Sequence, residues 1–380
     1  MIIKPLFLFK KSAAFIFVIF LFVHSLSFAD NQIASQLQKI LNDSLANSST
    51  PGAVLLVSSP QIGTIIVVGG VADKGGDIKM NETNNFRIAS MSKTFLAVTV
   101  LKLVEQGKLN LNAKIGDLLP EYININRIPN GQKVTIKELL QMRSGIPNYV
   151  KLEAYTNITT KMHVKKWTPQ LLVYLVYDEK PVFEPDKSYE YSNTNYLLLQ
   201  LIVEKLTGGS LASAIRQQIS DPLQLKDTFV ETIESNDSNH IKTHGYALQN
   251  KKLSDVTYFN DGFGLGDAGM ISTAQDLNRF LQALLKDKTL LSTASLQQML
   301  SVQEDYGLGI YQEKVDGERA WSHNGLTSGF QGQYYYFPNK QLSIILLTND
   351  FDTDIIDSLV ERTHELINKH TLVNTSVPAN

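Results

Sequence analysis

The sequence predicts an α+β fold: an antiparallel sheet flanked by helices, with a mainly helical region inserted between its strands. Three observations lead there. Strand-like segments rich in Val and Ile stand near the start, from Ala53 to Val71, and others near the end, from Ala320 to Thr348. Between them, from about Asn110 to Thr257, lie short helical patterns and most of the prolines. No long Pro, Ser or charge tract marks a linker, so strands from both ends can join one sheet around the helical part.

Taken in order, Ile33, Leu37, Ile40, Leu41 and Leu45 recur at helical spacing before Pro51-Gly52. Ala53 to Ser58 and Gly63 to Val71 read as strands that Ser59-Pro60-Gln61-Ile62 turns into a hairpin. From Ser90 to Gln106, Phe95, Val98, Leu101 and Val104 fall three apart, with serines as cap and Gly107 as stop, so Ser90 is expected at a helix N-terminus. Thr135 to Met142, Pro169 to Val176, Asn195 to Leu206, Gln275 to Leu285 and Thr293 to Met299 are expected helices. Ala320 to His323, Gln331 to Phe337 and Leu342 to Thr348 are expected strands, and Asp352 to Asn368 a closing helix. The sheet part then takes residues of about 30–105 and 262–380, and the helical part about 106–261.

The first 29 residues read as a secretory leader: Lys4, Lys10 and Lys11, an apolar run from Ala13 to Val23, then Ser27-Phe28-Ala29 as a small-x-small cleavage site. The run is shorter than a membrane-spanning helix needs, so cleavage and release to the periplasm or exterior are expected, without stable membrane insertion. Removing it takes away three lysines and no acid, moving the formal charge from −2 to −5. Nothing there attracts nucleic acid. There is no cysteine, which excludes disulfides and thiolate chemistry. His163, His240, His244, His323, His364 and His370 form no metal-ligand motif, and no phosphate-binding glycine loop occurs. No metal and no cofactor is expected.

The chemistry concentrates at three places. Ser90-Met91-Ser92-Lys93 puts a hydroxyl and an amine one helical turn apart, and a lysine desolvated near a helix N-terminus holds its proton weakly enough to act as a base. Alone, Ser-x-x-Lys is a common accident. Tyr191-Ser192-Asn193 offers a phenol and an amide two apart on a loop, where Tyr191 can shuttle a proton and Asn193 can bond Lys93 and a substrate amide. An ordinary Asn turn before a helix reads the same. Third comes His323-Asn324-Gly325-Leu326 on a C-terminal strand, where Gly325 allows close backbone approach and the N–H groups of Ser90 and Leu326 can form an oxyanion hole.

Together, in this order, the three motifs resemble the serine β-lactamase and penicillin-recognising D,D-peptidase superfamily, in its class C and D-alanyl-D-alanine carboxypeptidase branch. Similarity runs from about Pro51 to Asn349 and takes in Ser144-Gly145-Ile146-Pro147, Glu204 to Gly208, Ala268 to Thr273 and Tyr306 to Gly309. It implies a β-lactamase/transpeptidase-like fold, Ser90, Lys93 and Tyr191 as catalytic residues, and Asn193, His323, Asn324, Gly325 and Leu326 as substrate-binding ones. The implied substrate is a small molecule or a peptidoglycan peptide.

The match departs from the carboxypeptidases at Asn324, Leu326 and Tyr311, where that family has two threonines and, after a strand matching Tyr306 to Ile310, an arginine. Those groups grip a terminal carboxylate. Three readings follow: a hydrolase of D-alanyl peptide or β-lactam amides, an esterase for short acyl esters, and a penicillin-binding sensor that acylates with little turnover.

Overall fold

The computed structural model describes residues 31–161, 167–231, 234, 240–262, 264–350 and 353–375; the leader at 1–29, His163 and Asp352 lie outside them. Helix α1 covers 31–46. Strands β1 (Gly52–Ser59), β2 (Gly63–Asp73), β3 (Ile78–Lys79) and β4 (Phe86–Arg87) lead through a 3₁₀ turn at Ala89–Met91 into α2 (Ser92–Glu105). The middle carries α3 (Ile136–Leu140), α4 (Glu153–Lys161), α5 (Pro169–Tyr174), α6 (Asn193–Thr207), α7 (Leu211–Ile215) and α8 (Asp221–Leu223). Short strands β5 (Phe229–Val230), β6 (Tyr246–Gln249), β7 (Lys252–Asp255) and β8 (Met270–Ser272) follow, then α9 (Ala274–Leu281) and α10 (Thr293–Met299). The chain closes with β9 (Tyr311–Val315), β10 (Glu318–Thr327), β11 (Phe330–Phe337), β12 (Leu342–Thr348) and α11 (Thr353–Thr375).

The large sheet runs β3-β2-β1-β12-β11-β10-β9, with antiparallel pairings through its centre. Its middle seam joins the two ends of the chain, Ala53 opposite Thr348 and Val57 opposite Ile344. Both strands of the seam are buried throughout, and their alternating side chains serve two cores. Val54, Leu56, Ile345 and Leu347 face the core shared with the helical region. Ala53, Leu55, Val57, Ile344 and Leu346 face a smaller core closed by α1 and α11 through Ile33, Leu37, Leu41, Ile356 and Leu359. The same alternation splits the tyrosine run: Tyr334 and Tyr336 point to the larger core, Tyr335 to the smaller.

Several expectations change on contact with the structure. Helix α2 is not capped by a serine; Ser92 Oγ instead accepts a hydrogen bond from the Met270 N–H at 3.2 Å, fastening the helix start to β8. Nor does α2 have one apolar stripe. It is buried from Ser92 to Leu101 on all sides because it lies between the sheet and the helical region, with Phe95 stacked on Phe280 at 3.9 Å. Tyr306 to Ile310 is not a strand: Tyr306 makes isolated bridges to Gln303 and Tyr311, and the regular strand begins only at Tyr311. Asn193 lies not on a loop but in the first turn of α6.

Candidate active site

Ser90 sits in the 3₁₀ turn before α2, on backbone that is strained and wedged. Ala89 has φ +45°, a conformation that costs an alanine about 1–2 kcal/mol. On one side Arg87 is tied to Glu231 by two buried hydrogen bonds of 2.7 and 2.8 Å. On the other, a Cβ at Gly325 would lie 2.2 Å from the Ile88 carbonyl oxygen and 3.2 Å from Ala89 Cβ. The close approach that Gly325 permits is therefore to the chain's own Ser90 turn. The first donors satisfied there are the N–H groups of Met91 and Ser92, which leaves the Ser90 N–H ahead of the hydrogen-bonded series.

Lys93 reaches back from the first turn of α2 and is wholly buried. Its Nζ donates to Ser90 Oγ at 2.9 Å, Asn193 Oδ1 at 2.7 Å and the Asp267 carbonyl at 2.6 Å. Those contacts use all three hydrogens of an ammonium; the neutral amine has two, and one of its directions becomes a lone pair. The rings of Tyr191 and Tyr196 lie 4.9 and 5.6 Å from Nζ. Burial lowers the Lys93 pKa to about 7, partly opposed by the nearby charge of Asp267. The N-termini of α2 and α6 both converge here, and their dipoles act in the same direction as burial.

Asn148 pins Tyr191 and Asn193 from the preceding loop. Its Oδ1 accepts from the Asn193 N–H at 3.2 Å and its Nδ2 donates to the Tyr191 carbonyl at 3.3 Å. Around it, Ser192 and Thr194 hydroxyls both donate to the Pro147 carbonyl, and Ser144 Oγ donates to Asn195 Oδ1 at 2.7 Å. Surrounding protein pushes the Tyr191 phenol well above the ordinary tyrosine range, an effect opposed by its hydrogen bond with Ser90. Tyr191 thus stays protonated at neutral pH.

Strand alternation sends Trp321, His323 and Gly325 toward the larger core and Asn324 and Leu326 toward the opposite side, where both are exposed. Asn324 and Leu326 therefore turn their side chains away from the larger core, beyond the point where β9 begins at Tyr311 opposite Ser322. His323 is fully buried. Its Nε2 meets the Tyr306 hydroxyl at 3.2 Å, its Nδ1 meets the Asn324 carbonyl at 2.7 Å, and burial together with the Lys93 charge pushes its pKa down to about 3. The neutral His323 packs against the rings of Tyr306 and Tyr311. Tyr306 packs edge-on against Tyr191 and Tyr311, and the hydroxyls of Tyr189 and Tyr311 meet at 3.2 Å.

So Ser90, Lys93, Tyr191 and Asn193 are brought together, Gly325 packs against the Ser90 turn, His323 stands behind tyrosines, and the side chains of Asn324 and Leu326 point away. Sequence reasoning missed Asn148, Tyr149, Tyr306 in its role beside His323, and Asp267. The last had a readable signal, an acid among the glycines and apolar residues of Gly262 to Gly269. Among the described residues no group of three or more acids or histidines is placed to hold a metal ion.

A protein-family model described as Beta-lactamase matches residues 37–361. Penicillin-binding protein 4* of Bacillus subtilis strain 168 is 29% identical over 335 residues, covering 78% of this chain and 71% of its own. Protein flp of Staphylococcus aureus strain MW2 is 26% identical over 357 residues, covering 91% and 68%. Among solved structures, D-amino acid amidase from Ochrobactrum anthropi SV3 complexed with D-phenylalanine superposes with a TM-score of 0.77 at 25% identity, covering 89% of this chain and 99% of the other.

Proposed function

Because the chain belongs to the Beta-lactamase family, we propose that it forms an acyl-enzyme at Ser90 and hydrolyses amide bonds of the D-alanyl-peptide or β-lactam kind. The observation that carries this reading is the Lys93 amine, buried and 2.9 Å from Ser90 Oγ. As a free base Lys93 takes the Ser90 proton while Oγ bonds to the substrate carbonyl carbon, and the carbonyl electron pair moves onto oxygen. The N–H groups of Ser90 and Leu326 hold that oxyanion. On collapse the C–N bond breaks and the leaving amine takes a proton through Tyr191. Water then attacks the ester by the same route in reverse and regenerates Ser90. Similarity to a penicillin-binding protein and to a D-amino acid amidase supports the substrate class.

A second reading, hydrolysis of short acyl esters, is favoured by Tyr311. It stands where the carboxypeptidases carry an arginine, and with Tyr189 and Tyr306 it makes an uncharged wall. A free carboxylate seated there would lack a bidentate cation. We expect kcat/KM for an acyl-D-Ala-D-Ala peptide to exceed that for its C-terminal amide by less than about a hundredfold, or ~2.7 kcal/mol. A larger preference would return the carboxylate grip to the site.

Incubation with a fluorescent penicillin, followed by mass mapping of the adduct, tests the central claim; a label anywhere but Ser90 overturns it. A burst followed by silence, in place of steady turnover, would assign the chain to penicillin sensing. We further propose, from the leader pattern at 1–29, that the hydrolase acts outside the cytoplasm.

A further inference from the structure

We propose that Asp267 is a positioning residue that acts on Ser90 through Lys93: its main-chain oxygen fixes the amine, and its buried carboxylate is a nearby negative charge that favours the ammonium form of Lys93. This rests on the reading of Lys93 as the base for Ser90.

Geometry carries the claim. The Asp267 carbonyl is the nearest of the three acceptors around Nζ. The carboxylate is only 1% exposed, takes one hydrogen bond, from the Tyr149 hydroxyl to Oδ2 at 2.8 Å, and leaves Oδ1 without a partner among the described residues. Its loop has no freedom to turn the acid outward: a Cβ at Gly266 would lie 2.9 Å from Leu96 Cδ2, and one at Gly269 2.1 Å from the Leu265 nitrogen. The Gly266 N–H is also held by Gln200 at 2.8 Å. A buried, half-satisfied carboxylate is costly unless a cation shares its low-dielectric surroundings.

Lys93, whose Nζ is bound to the main-chain oxygen of the same residue, is a cation in those surroundings without forming a direct ion pair with the carboxylate. Besides Asp267 it faces Ser90, Asn193, Tyr191, Tyr196 and His323, and the histidine is neutral. Asp267 faces Tyr149, Tyr155, Tyr191 and Asp261, and Asp261 is occupied by the Thr327 and Ser328 hydroxyls and the Ser328 N–H. Each of the pair moderates the other's response to burial: the Asp267 charge limits the fall at Lys93, and the Lys93 charge limits the rise at Asp267.

The test is Asp267→Asn, which keeps the main-chain oxygen and an acceptor for Tyr149 while deleting the charge. Two readouts are taken: a ¹⁵N titration of the Lys93 ammonium without substrate, and the acid limb of kcat/KM for a p-nitrophenyl ester. Both should move to lower pH by roughly one unit, a tenfold change in the proton equilibrium, and Asp267→Glu should restore much of the shift. Should Asp267→Asn fail to fold, Tyr149→Phe, which weakens the carboxylate's support, should shift Lys93 in the same direction by less. A Lys93 titration that is the same with and without the charge, or that moves to higher pH, overturns the inference. Wild-type protein that turns over neither a p-nitrophenyl ester nor an acyl-D-Ala-D-Ala peptide nor a β-lactam overturns the proposed hydrolase instead, and the ammonium titration still decides the role of Asp267.

Discussion

At Ser90 the roles of hydroxyl, amine and phenol can be separated by single substitutions. Ser90→Ala should abolish acylation with an unchanged melting temperature, because the side chain is only partly buried and its loss opens no core cavity. Lys93→Met, which keeps the buried stem, and Tyr191→Phe should each cost a factor of at least ~10² in acylation. A silent Tyr191→Phe would leave Lys93 as the sole proton carrier. The pH dependence has a definite sign: Lys93 must be neutral to act, its pKa is lowered to about 7, and kcat/KM should rise as pH increases through that value and level off above it. Ser90 and Lys93 were legible as a pair because a spacing of three puts both on one helical turn, whereas their meeting with Tyr191 and Asn193, about a hundred residues on, was implied only by the family resemblance. Asp267 stood out locally as an acid among glycines, but its meeting with Lys93 was hidden because it depends on how the segment before β8 docks against α2, which no local pattern encodes.

Among the elements, β10 packs directly against the Ser90 turn. Gly325→Ala would drive a methyl group into the Ile88 carbonyl. It should lower stability by about 1–3 kcal/mol through overpacking and lower kcat by roughly 10² through displacement of Ser90. Chemical denaturation and steady-state kinetics read the two effects; unchanged kcat would mean that the turn holds its shape without β10. Element boundaries were legible where a local signal existed, as with Thr135, whose side chain and Glu138 form a capping box at α3, and with Gly107 at the end of α2. They failed where tertiary contact replaced the local signal. Ser92 gave up capping to bond Met270, and Tyr311 to Val315 lacks the apolar run that announces an interior strand because it forms the sheet edge.

For the molecule as a whole, the smaller core depends on both chain ends. Deleting residues 31–46 would strip Ile33, Leu37 and Leu41, all buried, from the face of β1 and β12. At about 1.5–3 kcal/mol each the loss approaches the entire stability of a domain. The shortened chain should be insoluble or unfolded at 25 °C, whereas removal of residues 1–29 alone should leave melting and activity intact. A soluble, active product of the longer deletion would show that α11 suffices to close that face. The seam between β1 and β12 also has a kinetic meaning. Its strands are separated by nearly the full chain, so the loop-closure entropy must be met before the central contacts stabilise anything, and folding should be slow for the size of the molecule. The strand that braces Ser90 belongs to the same late segment. An emerging chain therefore carries Ser90 for most of synthesis with neither brace nor sheet, so the grouping of Ser90 with Lys93, Tyr191 and Asn193 is completed only near the end.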